Sequence, residues 1–337
     1  MNSFGRIFRI HIFGESHGDS VGINIDGCPA GLSLMSEDFL ADIERRKGGL
    51  QKGTTPRKED DLPIFKTGLF NNKTTGAPIT ILFENKNTRS EDYQKQRSVP
   101  RPGHADFVAH KKFGGFEDYR GGGHFSGRLT VSLVAAGVIA KKLLASLEDE
   151  AIKVTASITE IGGEKDIEKG LQKAIDAKDS VGGIIECRVT GIPAGLGEPF
   201  FDSVESLLSH IVFAIPAVRG IEFGTGFAAV KMFGSEHNDA IENMDGKTKT
   251  NHAGGVVGGI TNGNELVFRI AIKPTSSTPK EQETLNWETG KVENFSVKGR
   301  HDLCIALRVP VILEAVTAIV LADLLLLEQR IPRILHA

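Results

Sequence analysis

Apolar and polar residues alternate in four short segments of the chain. These segments cover residues 20–26, 78–84, 183–190 and 265–272, and each has an apolar residue at every second position. A period of two places the apolar side chains on one face of an extended backbone. The pattern therefore predicts four half-buried β-strands.

Continuous apolar stretches predict long helices at about 129–147 and 310–329, with a shorter helix at about 202–214. The most apolar part, residues 311–327, contains Glu314 and Asp323. It is short for a membrane span and is interrupted by these two charges. We therefore expect a core helix and no membrane association.

A fourth helix is expected after Ser36, whose hydroxyl can cap it. Glu37 and Asp38 would lie in the first turn, and three basic residues, 45–47, in the last. This order of charges complements the helix dipole at both ends.

Two parts of the sequence repeat. The turn GCPAGL at 27–32 recurs as GIPAGL at 191–196, and each precedes a predicted helix. The two long helices also align, with Arg128 matching Arg308 at their starts. Chance matches between apolar helices are common, so the turn repeat is the stronger observation.

The irregular order of strands and helices predicts an α+β fold. The repeats divide it into two similar halves, roughly residues 1–150 and 151–330, and no low-complexity linker separates them. We expect one domain over 1–337 in which each half contributes an antiparallel sheet with helices.

Composition limits the class of function. A net charge of −3 argues against a nucleic-acid partner, whose phosphates usually require a basic excess. The 39 glycines point to tight turns and to backbone that approaches a ligand closely, or else to a turn-rich β protein. The cysteines Cys28, Cys187 and Cys304 are sparse and offer no metal-binding pair, which suits a reducing compartment.

The N-terminal apolar stretch is interrupted by Arg6 and Arg9, which does not fit a secretory signal. We therefore expect a cytoplasmic, soluble protein.

Histidine and arginine occur with glycine in two early motifs. Residues 14–18, GESHG, present Ser16 and His17 between glycines, and His17 is a candidate for proton transfer unless it belongs to an ordinary surface turn. In residues 101–106, RPGHAD, Arg101 can bind a phosphate while His104 donates a proton to the leaving oxygen. Taken alone, this second motif is equally typical of a basic loop.

A glycine-rich loop, YRGGGHFSGR at 119–128, runs directly into the first long helix. Such a loop presents backbone N–H groups to an anion at the positive end of the helix dipole. It matches neither a P-loop nor a dinucleotide-binding fingerprint.

Three later segments combine glycine or hydroxyl groups with charge. They are KPTSS at 273–277, GRHD at 299–302 and the glycine-rich loop at 251–259. The first can surround a phosphate or simply form a turn. In the second, Arg300 and Asp302 form either a surface ion pair or an anion clamp beside a base. No serine-hydrolase elbow or metal-binding spacing accompanies them.

Taken together, these motifs resemble those of the chorismate synthases in order and spacing. The resemblance runs from about Phe4 to Leu327, and the landmarks are residues 13–18, 101–106, 118–123, 191–199, 251–259, 273–277 and 299–302. Residues 157–181 form a shorter segment than in many members, as in the compact bacterial-type form.

The resemblance implies a β-α-β sandwich of two pseudo-symmetric halves, assembled as a homotetramer. It also implies the last common step of aromatic amino-acid biosynthesis. In this reaction, 5-enolpyruvylshikimate 3-phosphate loses phosphate by anti-1,4-elimination to give chorismate, with reduced FMN as an obligatory cofactor and no net redox change. No NADPH-binding fingerprint is visible, so we expect an external flavin reductant.

By the same resemblance, His104 would protonate the departing phosphate. His17 would keep the flavin in the right protonation state, and Asp302 would accept a proton near flavin N5. Ser16 and Ser126 would act as relay hydroxyls. The substrate would contact Arg46, Lys52, Arg101, Arg128 and Arg300.

The flavin contacts would be His124, Phe125, Ser126, Pro216, Ala217, Gly258, Lys273, Pro274, Thr275, Ser276, Ser277 and Arg300. At four places in or near the expected site, this chain departs from the residues that many family members have. His124-Phe125 replaces Arg-Ser or Arg-Ala, Gly127 replaces Ala and Pro216 replaces Asn. Lys52 replaces Arg, which keeps the charge but loses the bidentate fork. Two rival functions are a non-catalytic flavin- or anion-binding protein and a phosphatase.

Overall fold

The computed structural model describes residues 1–49, 52–55, 59–87, 97–147, 151–297 and 301–335. Its strands, in chain order, are β1 Ser3–Phe4, β2 Arg9–Gly14, β3 Ser20–Asp26, β4 Ile64–Thr67, β5 Leu69–Phe70, β6 Lys73–Thr74, β7 Ile79–Glu84, β8 Lys153–Ile161, β9 Gly183–Thr190, β10 Val218–Phe223, β11 Val256–Val257, β12 Ile260–Thr261, β13 Leu266–Ile272, β14 Gln282–Asn286 and β15 Lys291–Phe295. Its α-helices are α1 Leu40–Arg46, α2 Asp106–Phe113, α3 Thr130–Ala145, α4 Ile167–Ala177, α5 Val204–Val212, α6 Gly234–His237 and α7 Val309–Leu327.

The N-terminal sheet has the strand order β1-β2-β3-β7-β4 and is antiparallel throughout. In its centre, Ile23 pairs with Ile81 and Ile25 with Ile79, and all four side chains are fully buried. The apolar positions of β3 and β7 thus share the inner face that the period of two predicted.

The C-terminal sheet has the order β10-β13-β9-β8 and is also antiparallel. Ile185 of β9 pairs with Ile270 of β13, and both are buried. Both sheets therefore have one apolar face that needs a covering layer.

The long helices α3 and α7 form this layer, since they pack on each other and lie between the two sheets. Gly137 allows their close approach, because a Cβ at this position would lie 2.2 Å from the Cβ of Ala315. The segment Ile305–Leu327 is long and apolar enough to cross a bilayer, but 94% of its most apolar window is buried inside the protein. It is the core helix that the sequence predicts.

Each of the two acidic residues of α7 accepts several hydrogen bonds from the N-terminal half of the chain. Glu314 accepts hydrogen bonds from Arg45 at 2.7 and 2.8 Å and from Lys141 at 2.8 Å. Asp323 accepts the backbone N–H groups of residues 6–8 at 2.7–2.9 Å. Because Glu314 is paired with cations and Asp323 accepts three hydrogen bonds, both carboxylates are tolerated in an apolar helix, and both tie the C-terminal helix to the N-terminal half.

The repeated turns make the same hydrogen bonds. The N–H of Leu32 donates to the hydroxyl of Thr74, which donates to the carbonyl of Pro29, at 2.9 and 2.6 Å.

In the second turn, Leu196 donates to Thr261, which donates to Pro193, at 2.9 and 2.7 Å. This correspondence supports an internal repeat, whose boundaries remain a prediction.

The α+β class is confirmed, with antiparallel sheets around central helices. One detail of the sequence interpretation is wrong. Ser36 does not cap a helix, because it begins a 3-10 turn, Ser36–Phe39, that leads into α1. The side chain of Asp38 instead accepts the N–H of Met35 at 2.8 Å.

Candidate active site

A cavity of about 860 Å³ opens where the starts of α3 and α7 meet the end of α5. The residues on its lining that the sequence predicted are Ser16, Arg46, Arg101, His104, His124, Phe125, Ser126, Arg128, Pro216, Ala217, Lys273, Pro274, Thr275, Ser276, Ser277 and Asp302. Motifs that lie far apart in the chain are thus brought to one place.

The lining includes a buried charge cluster of Arg46, Asp61 and Arg128. Arg46 Nη2 donates to Asp61 Oδ2 at 2.7 Å, and Arg128 Nη1 makes a short hydrogen bond to Asp61 Oδ1. Arg128 Nε also donates to Asn85 at 2.9 Å. A single carboxylate therefore holds two guanidinium groups that come from α1 and from the start of α3.

Burial and charge act on this cluster in opposite directions. Burial lowers the pKa of Arg46 to about 10; Asp61 opposes this effect, whereas Arg128 and Arg308 reinforce it. Burial would raise the pKa of Asp61, but the charges and hydrogen bonds of Arg46 and Arg128 outweigh it and hold that pKa below its usual value. The repulsion between like charges favours the arrival of an anion.

Asp302 and Arg308 form a second pair beside this cluster. Arg308 Nη2 makes a short hydrogen bond to Asp302 Oδ2, and the N–H of Thr55 donates to Oδ1 at 2.9 Å. The sequence interpretation missed Arg308 and named Arg300, which lies outside the described residues. The signal was present, because the internal repeat aligns Arg308 with Arg128.

Both arginines precede the first turn of a long buried helix. Arg128 lies in the 3-10 turn Gly127–Leu129 before α3, and Arg308 ends the 3-10 turn Ile305–Arg308 before α7. Thr130 and Val309, the first residues of the two helices, also line the cavity. Two helix N-termini therefore add their partial positive charge to that of the arginines.

A further group of lining residues belongs to the motif at 101–106. Arg101 donates to Asp106 from Nε and Nη2, both at 2.8 Å, and from Nη1 to Ser277 at 3.1 Å. His104 Nδ1 lies 2.5 Å from Asp106 Oδ1. Burial lowers the pKa of His104 below its ordinary value; Asp106 opposes this shift, while Arg101 and Lys273 add to it.

Lys273 and Ser276 contact this motif. Lys273 Nζ donates to the carbonyl of Gly103 at 2.6 Å and lies 2.9 Å from the hydroxyl of Ser276. Ser276 donates to the same carbonyl at 2.7 Å. A lysine, an arginine and two serine hydroxyls thus converge as a phosphate would require.

The glycine-rich loop lies over the motif at 14–18. The N–H of Ser16 donates to the carbonyl of Gly123 at 3.1 Å, and His124 Nδ1 lies 2.8 Å from the carbonyl of Gly14. Gly121 has a φ of +59°, and a Cβ there would lie 2.2 Å from Cε1 of His17. Glycine is therefore required for the loop to cover the imidazole.

The cavity also has an apolar wall. It is formed by Ile10, Ile12, Leu133, Phe213, Ile215 and Ile312. A flat ring system can pack there while its polar substituents reach the charged groups.

Three of the predicted site residues do not line the cavity. His17 is buried beneath Gly121 and does not line the cavity itself. Lys52 donates to Gln172 at 3.2 Å, away from the cavity lining, and Gly258 lies in the exposed turn between β11 and β12. The roles predicted for Lys52 and Gly258 are therefore not explained by the cavity of a single chain.

Comparison with known proteins identifies the family. The family model described as chorismate synthase matches residues 8–326. The chain belongs to the chorismate synthase family. A chorismate synthase from Chitinophaga pinensis is 72% identical over 334 residues, covering 99% of both chains. One from Methanocaldococcus jannaschii is 41% identical, covering 97% of this chain and 96% of the relative.

The fold is similar as well. A crystal structure of chorismate synthase superposes with a TM-score of 0.74 at 25% identity, covering 96% of this chain and 93% of the other. Chorismate synthase family membership makes the chain a lyase of the shikimate pathway that acts on a small molecule in aromatic amino-acid biosynthesis. The burial of its one described helix long enough to span a membrane is as expected of a soluble biosynthetic enzyme.

The covering of His17 by Gly121 can be tested through stability. We expect Gly121→Ala to cost about 1–2 kcal/mol for a left-handed backbone and about 1–3 kcal/mol more for the clash with the buried imidazole. Gly163→Ala is the matched control, because Gly163 has a φ of +79° with no atom within 4 Å of a Cβ. Denaturant unfolding should show the larger loss in Gly121→Ala, and equal losses would contradict the proposed fit.

Proposed function

We propose that the chain converts 5-enolpyruvylshikimate 3-phosphate to chorismate and phosphate by anti-1,4-elimination, with reduced FMN as cofactor and no net oxidation. The observation that carries the proposal is one cavity whose lining combines cationic groups from two clusters with an apolar wall. We further propose a cytoplasmic homotetramer that receives reduced flavin from an external reductant.

The charges suit such a substrate. Among the described residues on the lining, six arginine or lysine side chains accompany three carboxylates. The substrate contributes two carboxylates and a phosphate. Binding would therefore compensate an excess of positive charge whose burial is otherwise unfavourable.

The lining also fits FMN. The cavity volume of about 860 Å³ is near the upper end for a single small-molecule site, about 300–1,000 Å³, and so leaves room for a cofactor beside a substrate. The apolar wall suits a flat ring, and Lys273 with Thr275, Ser276 and Ser277 offers donors for polar substituents. When bound, reduced FMN would supply electron density that assists departure of the phosphate and is recovered afterwards.

His104 would act as the acid. In the unliganded protein its pKa lies below the ordinary value, chiefly because of burial, and Arg101 and Lys273 also disfavour the charged ring. A phosphate beside these cations would reverse the balance of charge and allow His104 to take up a proton. The imidazolium would then donate this proton to the departing phosphate oxygen.

Asp302 would be the proton acceptor, with Arg308 and Thr55 holding its carboxylate at the cavity surface. Ser16 and Ser126 line the cavity as candidate relay hydroxyls. His17 lies directly behind Ser16, beneath the glycine-rich loop, and would adjust protonation from there.

The proposed tetramer has support from the surface. Phe227, Val230 and Phe233 are each at least 79% exposed, which is unusual for large apolar side chains so close in sequence. Because Gly258 does not line the cavity of its own chain, its proposed flavin contact would be made to a second subunit.

The cofactor requirement has a direct test. We expect no chorismate from purified protein with oxidised FMN and NADPH in air, and turnover once FMN is reduced anaerobically with dithionite. Chorismate formation without flavin would overturn the cofactor assignment. Release of phosphate without chorismate would instead indicate a phosphatase, and flavin binding without either product a non-catalytic protein.

Asp302→Asn tests the proton acceptor, because it keeps the size of the side chain and removes its basicity. We expect FMN and substrate to bind nearly normally while kcat falls about 10²-fold or more, as for a lost acid–base group. Arg308→Gln provides the contrast, since loss of a cation should mainly raise KM. A normal kcat with raised KM in Asp302→Asn would show that Asp302 only holds Arg308.

A further inference from the structure

The carboxylate of Asp106 is the one charged group of the motif at 101–106 to which the reaction as proposed gives no part. Asp106 begins α2, and its oxygens accept from the N–H of Arg101 at 3.0 Å and from Arg101 Nε and Nη2, both at 2.8 Å. Its Oδ1 is also 2.5 Å from Nδ1 of His104. The carboxylate is therefore held rigidly while it contacts the proposed acid.

These contacts determine which ring nitrogen of His104 carries the proton when the ring is neutral. Nδ1 is close to two groups, Asp106 Oδ1 at 2.5 Å and Arg101 Nη2 at 3.0 Å. An ionised carboxylate can only accept a hydrogen bond, and a guanidinium can only donate. A bare Nδ1 would direct its lone pair at a carboxylate oxygen 2.5 Å away, which is repulsive. Nδ1 therefore carries the hydrogen and donates it to Asp106, and the approach of Arg101 is a charge contact.

The other ring nitrogen, Nε2, is then bare in the neutral ring. Within the described ranges no hydrogen bond engages it, and His104 lines the cavity. The backbone of Gly122 borders the ring, since a Cβ there would lie 3.4 Å from Nε2. The charged groups around the ring are Arg101, Asp106 and Lys273, with Arg97, Glu117 and Asp118 lining a small cleft on its other side.

We infer that Asp106 is a positioning residue that fixes His104 as the Nδ1–H tautomer and makes Nε2 the nitrogen that exchanges protons with a ligand in the cavity. The catalytic part of this inference rests on the proposed function, whereas the tautomer does not.

The proton balance is simple. When a phosphate ester binds, Nε2 takes one proton from solvent, and the imidazolium keeps its Nδ1–H bond to Asp106. As the ester C–O bond breaks, its electron pair leaves with the phosphate and the Nε2 proton passes to the phosphate oxygen. His104 returns to the neutral Nδ1–H form, and Asp106 is never protonated. The arrangement has the logic of an Asp–His pair in which the carboxylate orients the ring.

The tautomer is measurable in the resting protein without substrate or flavin. The probe is ¹⁵N-labelled histidine observed by NMR above the pKa of His104. Because the chain has ten histidines, the His104→Gln spectrum identifies the His104 signals by their loss. We expect a protonated Nδ1 and a bare Nε2 in the wild type. In Asp106→Asn the amide can donate to Nδ1, and we expect Nε2–H to become substantially populated.

Kinetics test the positioning role. With reduced FMN, Asp106→Asn should lower kcat about 10²–10⁴-fold, the range for a lost acid or a wrong tautomer, and should change KM less. Asp106→Glu keeps a carboxylate and should recover part of the rate and the Nδ1–H signal. Asp38→Asn is the control for general loss of a structural carboxylate, because Asp38 accepts the backbone N–H of Met35 at 2.8 Å and lies away from the cavity. It should keep wild-type kcat.

An Nε2–H tautomer in wild-type protein overturns the inference, and so does an unchanged kcat in Asp106→Asn. If Asp106→Asn fails to fold, the wild-type spectrum alone decides the tautomer. If wild-type protein proves inactive with reduced FMN, the proposed function fails. The NMR spectrum then still decides the tautomer independently.

Discussion

The structure of the site depends on one buried carboxylate, Asp61, placed between Arg46 and Arg128. Removing three charges from water is expensive, and such clusters contribute little net stability. This cluster instead fixes the geometry, since it joins the end of α1 to the start of α3 and leaves one positive charge uncompensated on the cavity lining. The same arrangement occurs twice more, since Asp302 holds Arg308 and Asp106 holds Arg101. In each pair the carboxylate fixes the orientation of a guanidinium group beside the space where an anion would bind.

The packing of α3 and α7 between the two sheets explains why the charged residues of the site lie close together. These two helices pack closely at Gly137, and both begin at the cavity with an arginine in the preceding turn. These two cationic helix starts correspond to each other in the internal repeat that the sequence predicts. The remaining parts of the site, the motif at 101–106 and residues 273–277, come from connections around this frame, which can differ between the halves without disturbing the core.

Periodicity predicted the strands β3, β7, β9 and β13 and the long helices to within a few residues, because strong alternation and long apolar runs leave few alternatives. The hairpin β14–β15 was missed because its sequences, QETLN and KVENF, are largely polar and exposed. Asp61 was missed because it belongs to the acidic run 59–61, which is typical of a solvated surface; its burial depends on a tertiary contact with α3. Most site residues were predicted from the resemblance of the motifs to those of a known family. Composition and residue spacing alone could not distinguish a functional motif from an ordinary turn or loop.

The central claim is that burial and neighbouring cations keep His104 neutral until an anionic substrate binds beside it. Calorimetric titration of the FMN-bound protein with 5-enolpyruvylshikimate 3-phosphate, near pH 7.5 in buffers of different ionisation enthalpy, measures the protons exchanged. Because burial and neighbouring cations hold the pKa of His104 below its ordinary value, the account predicts uptake of protons in the wild type and a clear reduction in His104→Gln. Binding enthalpies that are the same in all buffers, or proton uptake unchanged in His104→Gln, would contradict it.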